Sequence, residues 1–259
     1  MITSNHAIWL SGCAAAVLLI GSTISAILKL QIARGLPHAD IDNLSARMRS
    51  WWVMVMVFGG ALWAGAWATC TLFAVISLIA LHEFMATRCA SRVNQWITGL
   101  GICVICIACI PALLTLQIPG YVSRNVFLLA FLIIVTQASD VLQYVWGKVF
   151  GKHLIAPGIS PSKTVEGFAG GISSATLLGA SLWWITPFTP AQAAAIALLI
   201  TLTGFVGGLV MSAQKRARGI KDWGTLIHGH GGMLDRLDSL WLPAPLFFLF
   251  VKYAWSGVQ

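Results

Sequence analysis

Charge is almost excluded from most of this chain. Seven apolar runs, at 8–30, 51–86, 96–116, 125–146, 169–187, 191–211 and 238–255, take up the bulk of its 259 residues. Only 9% of the residues are charged and 58% are hydrophobic, whereas a soluble domain carries about 25% charged residues. With a mean hydropathy of +0.84, the chain lacks the polar residues to coat a water-soluble core. Each run suits a membrane span of roughly 20 residues. The expected fold class is therefore an all-α, polytopic integral membrane protein.

The run 51–86 is too long for one span and slightly short for two. Charge placement decides between them. If the run folds back at a tight turn near 65–69, there are about eight helices, and the loops 31–50, 87–95, 147–168 and 212–237 share one side. Together with Lys29, that side then holds fourteen of the sixteen Lys and Arg residues, leaving only Arg124 and Lys252 opposite. The positive-inside bias assigns the basic side to the cytoplasm and both termini to the other face. The net charge of +8 is read in this way, and no nucleic-acid partner is expected. No Lys or Arg precedes Lys29, so 8–30 is expected to be a retained span and not a cleaved signal. The predicted location is the inner cell membrane, multi-pass, with the active loops facing the cytoplasm.

Small residues mark helix packing. The glycine pairs Gly59-Gly60 and Gly170-Gly171 are expected to let helices approach closely. Cys103, Cys106 and Cys109 recur every third residue and are read as packing residues on one helix face.

Chemistry concentrates where the charges are. The chain has eight acidic residues, and in so apolar a sequence each acid beside a span is a functional candidate. The segment 212–238 carries five basic groups, three acids and the run His228-Gly229-His230-Gly231-Gly232, followed by Asp235, Arg236 and Asp238. Glycines allow a backbone to approach a phosphate with its N–H groups. Basic side chains neutralise phosphate oxygens, and carboxylates hold Mg²⁺ that also bridges phosphates. Asp235 and Asp238 stand three apart, on one face if a helix starts there. The combination suits a nucleoside triphosphate. A second polar stretch, 140–167, holds Asp140 and Ser160-Pro161-Ser162-Lys163-Thr164. It lacks the strand and glycine spacing of a P-loop, yet the placement of the basic loops puts it on the same side as 212–238.

These residues carry a resemblance. The spaced pattern Ser212, Lys215, Arg216, Lys221, Asp222, Gly224, His230, Gly231, Gly232, Asp235, Arg236 and Asp238 resembles the signature of the phosphatidate cytidylyltransferases (CDP-diacylglycerol synthases). So do Asp140, Tyr144, Gly147, Lys148, Phe150, Gly151, Lys152 and His153, and Ser160, Pro161, Lys163, Thr164, Glu166 and Gly167. The resemblance covers roughly the C-terminal half. It implies a CTP-dependent enzyme that transfers CMP to phosphatidate, uses Mg²⁺ with or without a second, monovalent cation, and works as a homodimer among membrane lipids. Carried over, it implies catalytic roles for Asp140, Lys221, Asp222, Asp235 and Arg236. Substrate contacts fall to Tyr144, Ser160, Lys163, Thr164, Lys215, Arg216, His230, Gly231 and Gly232, and metal ligation to Asp235 and Asp238. Residues 125–259, with loops 147–168 and 212–237, would form the catalytic region, and 1–124 a lipid-facing wall or dimer contact. The family pattern has Asp where this chain has Gly208, Glu where it has Met211, and Pro where it has His228. Two alternatives therefore stand beside the first reading: the same chemistry on another lipid phosphate, and a non-catalytic member that binds lipid or nucleotide.

Overall fold

The computed structural model describes residues 4–31, 39–87, 91–226 and 231–256, and it is overwhelmingly helical. The first three helices are α1 (Ser4–Gln31), α2 (Ala39–Ala64) and α3 (Ala66–Ala86). The long apolar run does break, and it breaks at Gly65, whose φ of +106° is closed to other residues. The two helices fold back on each other there, with the Phe58 and Phe73 rings edge-to-face at 6.2 Å. Thr69 heals the turn by donating its hydroxyl to the carbonyls of Ala61 and Gly65.

The next crossing is a composite. Helix α4 (Arg92–Gly99), capped by the Ser91 hydroxyl, runs into a π-helical stretch, Leu100–Cys106, then α5 (Ile107–Ala112) and a 3₁₀ turn, Leu113–Thr115. Pro111 lies inside α5 and has no N–H for the ladder. Within this stretch Cys103 is fully buried while Cys106 and Cys109 are partly exposed.

Helix α6 (Asn125–Phe150) leads to a short antiparallel hairpin, β1 (Leu154–Ala156) with β2 (Ser160–Thr164), pairing Leu154 with Thr164 and Ala156 with Ser160. The strands were not foreseen, because three and five residues leave too little periodicity to read. Thr164 ends the hairpin and caps α7 (Val165–Ser181), accepting the Gly167 N–H at 3.1 Å. Helix α8 (Pro190–Ala217) starts at a reciprocal Thr189–Gln192 capping box with Pro190 in its first turn. One turn, α9 (Leu234–Leu237), precedes α10 (Pro243–Ala254).

Ala66–Ala86, Arg92–Thr115, Asn125–Phe150 and Pro190–Ala217 are long and apolar enough to cross a membrane on length and composition. The core sits among α3, α5, α6, α8 and α10, around Phe84, Phe127, Phe131, Ile196 and Phe247, all at most 2% exposed.

Helices α6 and α7 form the most extensive helix pair, and the glycines explain it. A Cβ on Gly171 would lie 2.4 Å from Gln143 Cγ and 2.6 Å from its Cα, and one on Gly170 would lie 2.4 Å from the Trp146 ring. The other pair behaves differently: no described atom lies within 4 Å of a Cβ placed on Gly59 or Gly60. Gly171→Ala should therefore cost about 1–3 kcal/mol by overpacking. Gly59→Ala should stay within about 0.5 kcal/mol. Thermal unfolding in detergent compares the two directly.

Candidate active site

The C-terminal halves of α6 and α8, strand β2, the start of α7 and the turn after α9 enclose a cavity of about 230 Å³. Its polar part is made by Asp140, Lys163, Asp238 and Ser239; its apolar part by Phe168, Phe205 and the half-exposed Tyr144. Asp140 sits within the second half of the apolar helix α6 and accepts a 2.5 Å hydrogen bond from the Ser239 hydroxyl. Hairpin β1–β2 projects Lys163 inward, with Nζ 4.5 Å from the Phe205 ring centre. Burial lowers the pKa of this ammonium, while Asp140 and Asp238 act in the opposite sense. A Cβ on Gly208 would meet Lys163 Nζ at 3.1 Å, so the absence of a side chain there makes room for the ammonium.

A second cluster lies alongside. Lys215, on the last turns of α8, donates to Asp235 Oδ1 at 2.8 Å and stands 3.7 Å from Asp238 Oδ2. The Lys215 and Asp235 side chains are only 10% and 5% exposed. The other Asp235 oxygen accepts the N–H groups of Trp223, at 2.8 Å, and Gly232, at 2.9 Å. Three of the roughly four acceptor sites of this carboxylate are thus taken within the protein, whereas Asp238 faces the cavity.

The glycine run has an unexpected neighbour. Glu83, at the end of α3, accepts the Met233 N–H at 2.9 Å on Oε1 and the Leu234 N–H at 2.8 Å on Oε2. The consecutive N–H groups of Gly232, Met233 and Leu234 therefore all end on carboxylates of the protein. Gly231 supplies the turn, with a φ of +79°.

The remaining expected residues are spread around this centre. Arg216 ties the segments together, donating to the carbonyls of Ile159 and Ile220. Thr164 lines the cavity, while Ser160 begins β2 outside it. Lys221 and Asp222 are exposed and do not line the cavity. Arg236 is half-buried on α9, beside Asp235. His230 lies outside the described residues. Glu83 and Ser239 were not singled out from sequence as site residues. For Glu83 a signal existed: it is one of only eight acids and falls at the end of an apolar run.

Glu166 holds the hairpin. Its carboxylate accepts the N–H groups of Lys152, at 3.0 Å, and His153, at 3.2 Å, and pairs with His153 Nδ1 at 2.6 Å. These bonds, the Lys152 N–H first, hold its pKa down to about 2. Since its folded pKa is depressed, the stabilisation is complete above the ordinary value of 4.5 and fades only as pH falls toward 2.

Among the described residues no group of three or more His, Cys, Asp or Glu side chains could hold a metal ion. Asp140, Asp238 and the Ser239 hydroxyl are hard oxygen donors. Such a sparse set fits an ion like Mg²⁺, which keeps waters and shares substrate phosphates.

Together these features define a helical membrane protein with a charged cavity between its helices, lined in part by aromatic side chains. Residues 85–254 match the profile of the cytidylyltransferase family, and the chain belongs to that family. The Escherichia coli K12 protein named "Uncharacterized protein YnbB" is 32% identical over 272 aligned residues, covering 84% of this chain and 90% of that protein. A Mycobacterium leprae protein named phosphatidate cytidylyltransferase is 46% identical over 112 residues, 42% of this chain and 35% of its own length. One of the same name from Staphylococcus aureus COL is 40% identical over 121 residues, 46% of each chain. The chain thus matches less than half the length of these two named enzymes.

Two outcomes follow from the geometry. Lys215→Met leaves the Asp235 carboxylate buried without its cation, and should cost about 3–5 kcal/mol, read by unfolding in detergent. Glu166→Gln should speed hydrogen exchange in residues 152–164 at neutral pH. The wild-type protein should show the same loosening only in acid well below pH 4.5.

Proposed function

We propose that this protein transfers CMP from CTP to phosphatidate, forming CDP-diacylglycerol and pyrophosphate for phospholipid synthesis. The observation that supports it most is the cavity itself. Within one small volume it joins the Asp140 and Asp238 carboxylates and the Lys163 ammonium to the aromatic side chains of Tyr144, Phe168 and Phe205, of which Tyr144 is exposed. A reaction between a water-soluble triphosphate and a bilayer lipid needs both environments in contact. Family membership and the names of the relatives support the same reading.

In this reading a phosphate oxygen of the lipid attacks the α-phosphorus of CTP. The bond from that phosphorus to the bridging oxygen breaks, and pyrophosphate leaves with the electron pair. Little covalent work falls to the protein, so catalysis is positioning and charge neutralisation. Lys163 would bind phosphate oxygens from the hairpin side, and Lys215 from the α8 side. Asp238 and Asp140 would hold Mg²⁺, with Asp235 fixing Lys215 beside Asp238. When bound, the ion would neutralise charge on the triphosphate and on the departing pyrophosphate. Arg216, Lys221 and Arg236 would extend the positive field around the triphosphate. We assign the site to the cytoplasmic face of the inner membrane, where fourteen of sixteen basic residues would lie, and the assembly to a homodimer.

One observation favours a second reading. The cavity has no side chain at position 208, and Lys163 Nζ stands where one would reach. A member that binds nucleotide or lipid without turning it over would tolerate that arrangement.

Purified protein with CTP, phosphatidate and Mg²⁺ should yield CDP-diacylglycerol, identified by mass spectrometry. Asp238→Asn and Lys163→Met should each lower kcat by about 10²–10³-fold. Gly208→Asp should lower the Mg²⁺ concentration for half-maximal rate, because it adds a carboxylate to the cavity. Absence of product at every Mg²⁺ concentration, with phosphatidate and with an isoprenoid phosphate alike, favours the non-catalytic reading.

A further inference from the structure

The cavity alone gives Glu83 nothing to do. It is buried, at 8% exposed, and belongs to the α2–α3 hairpin, two residues before the stretch that matches the family begins. Its carboxylate nevertheless ends inside the site segment. Both oxygens are spent on the N–H groups of Met233 and Leu234, at 2.9 and 2.8 Å. Those N–H groups open α9, the four-residue turn that carries Asp235 and delivers Asp238.

The surroundings are shaped to this carboxylate. A Cβ on Gly232 would lie 2.5 Å from Glu83 Oε2, and one on Gly224 would lie 2.6 Å from Oε1. Two separate strands of the 212–238 segment therefore pass Glu83 at backbone distance. The post that bears Glu83 is itself fixed. Gln95 donates to the carbonyls of Phe84, at 3.0 Å, and Thr87, at 2.8 Å. Arg218 lies over the Phe84 and Trp223 rings, at 4.0 and 4.8 Å, and donates to the Thr87 hydroxyl.

A single helical turn cannot hold itself, because nucleating a helix costs more than one turn of hydrogen bonds returns. The α9 turn is therefore placed by its anchors. Lys215 holds it through Asp235, and Ser239 holds its far side through Asp140. Glu83 fixes its start, its carboxylate accepting two backbone N–H groups there.

We infer that Glu83 is a positioning residue for the nucleotidyl transfer proposed above: it sets the 231–238 segment so that Asp238 faces Lys163 and Asp140. The inference rests on that reading of function. It makes α3 part of the catalytic machinery and not only a membrane wall.

The test uses the full-length protein in detergent and two variants. Glu83→Gln keeps the size but turns an amide NH₂ toward a backbone N–H. Gly224→Ala leaves Glu83 in place and crowds it from the opposite side. For each we would measure the folded fraction, kcat and KM for CTP and for phosphatidate, and hydrogen exchange of peptides spanning 231–242. A misplacement of about 1 Å costs roughly 10²-fold in rate. Glu83→Gln should therefore lower kcat per folded molecule by about that factor, and Gly224→Ala by a smaller one. KM for phosphatidate should stay within about twofold, as expected when transition-state contacts alone are lost. Exchange at 231–238 should rise at least about tenfold, with the α6–α7 pair unchanged. A folded Glu83→Gln protein with wild-type kcat, or lowered thermal stability alone with unchanged kinetics, overturns the inference. If the wild-type protein makes no CDP-lipid, the proposed function fails by itself. The exchange result then decides the placement separately, and unchanged protection at 231–238 in both variants overturns it.

Discussion

Three consecutive backbone N–H groups, those of Gly232, Met233 and Leu234, end on two buried carboxylates, Asp235 and Glu83, and the site is arranged around that capture. Each carboxylate comes at a cost in a chain this apolar. A buried charge is tolerated only when its lone pairs are filled. Asp235 fills them with the Lys215 ammonium and two N–H groups; Glu83 fills them with two N–H groups. The glycines of the segment follow from this packing, since a Cβ at 224 or 232 would displace the Glu83 oxygens. What reads in sequence as a loop ready to cradle phosphate is, at these N–H groups, a loop that cradles a carboxylate of its own protein.

The fold was legible because few physical choices were open. Nearly charge-free runs with basic loops between them admit little besides membrane helices, and the break in 51–86 was located by the same charges and realised at Gly65. What escaped was what charge and apolar period do not encode. The β1–β2 hairpin is too short to show alternation. The π-helical stretch at Leu100–Cys106 depends on local hydrogen-bond geometry. Gly59 and Gly60 read like Gly170 and Gly171, but among the described residues only the latter pair meets a neighbouring helix, because a glycine pair records nothing about what passes it.

The site was partly legible for a related reason. Asp140, Lys163, Lys215, Asp235 and Asp238 stand out as charges in or beside apolar sequence, and the structure brings them together around two adjoining clusters. Lys221 and Asp222 carry similar charge but sit outside the cavity, since charge in a loop does not fix its direction. Glu83 is about 150 residues away in sequence from the N–H groups it holds, and no local pattern could link them. At position 208 the lack of a side chain and the nearness of the Lys163 ammonium are two sides of one arrangement: the cavity keeps a positive charge of its own there.

The central claim is that this cavity joins the α-phosphate of CTP to a lipid phosphate. The most direct measurement supplies the purified protein, in mixed micelles with phosphatidate and Mg²⁺, with CTP labelled either at the α- or at the γ-phosphorus. α-Label should enter the organic-soluble lipid while γ-label is released entirely as pyrophosphate, in equal molar amounts. Label from the γ-position in the lipid, or α-label that never leaves the aqueous phase, would contradict the claim.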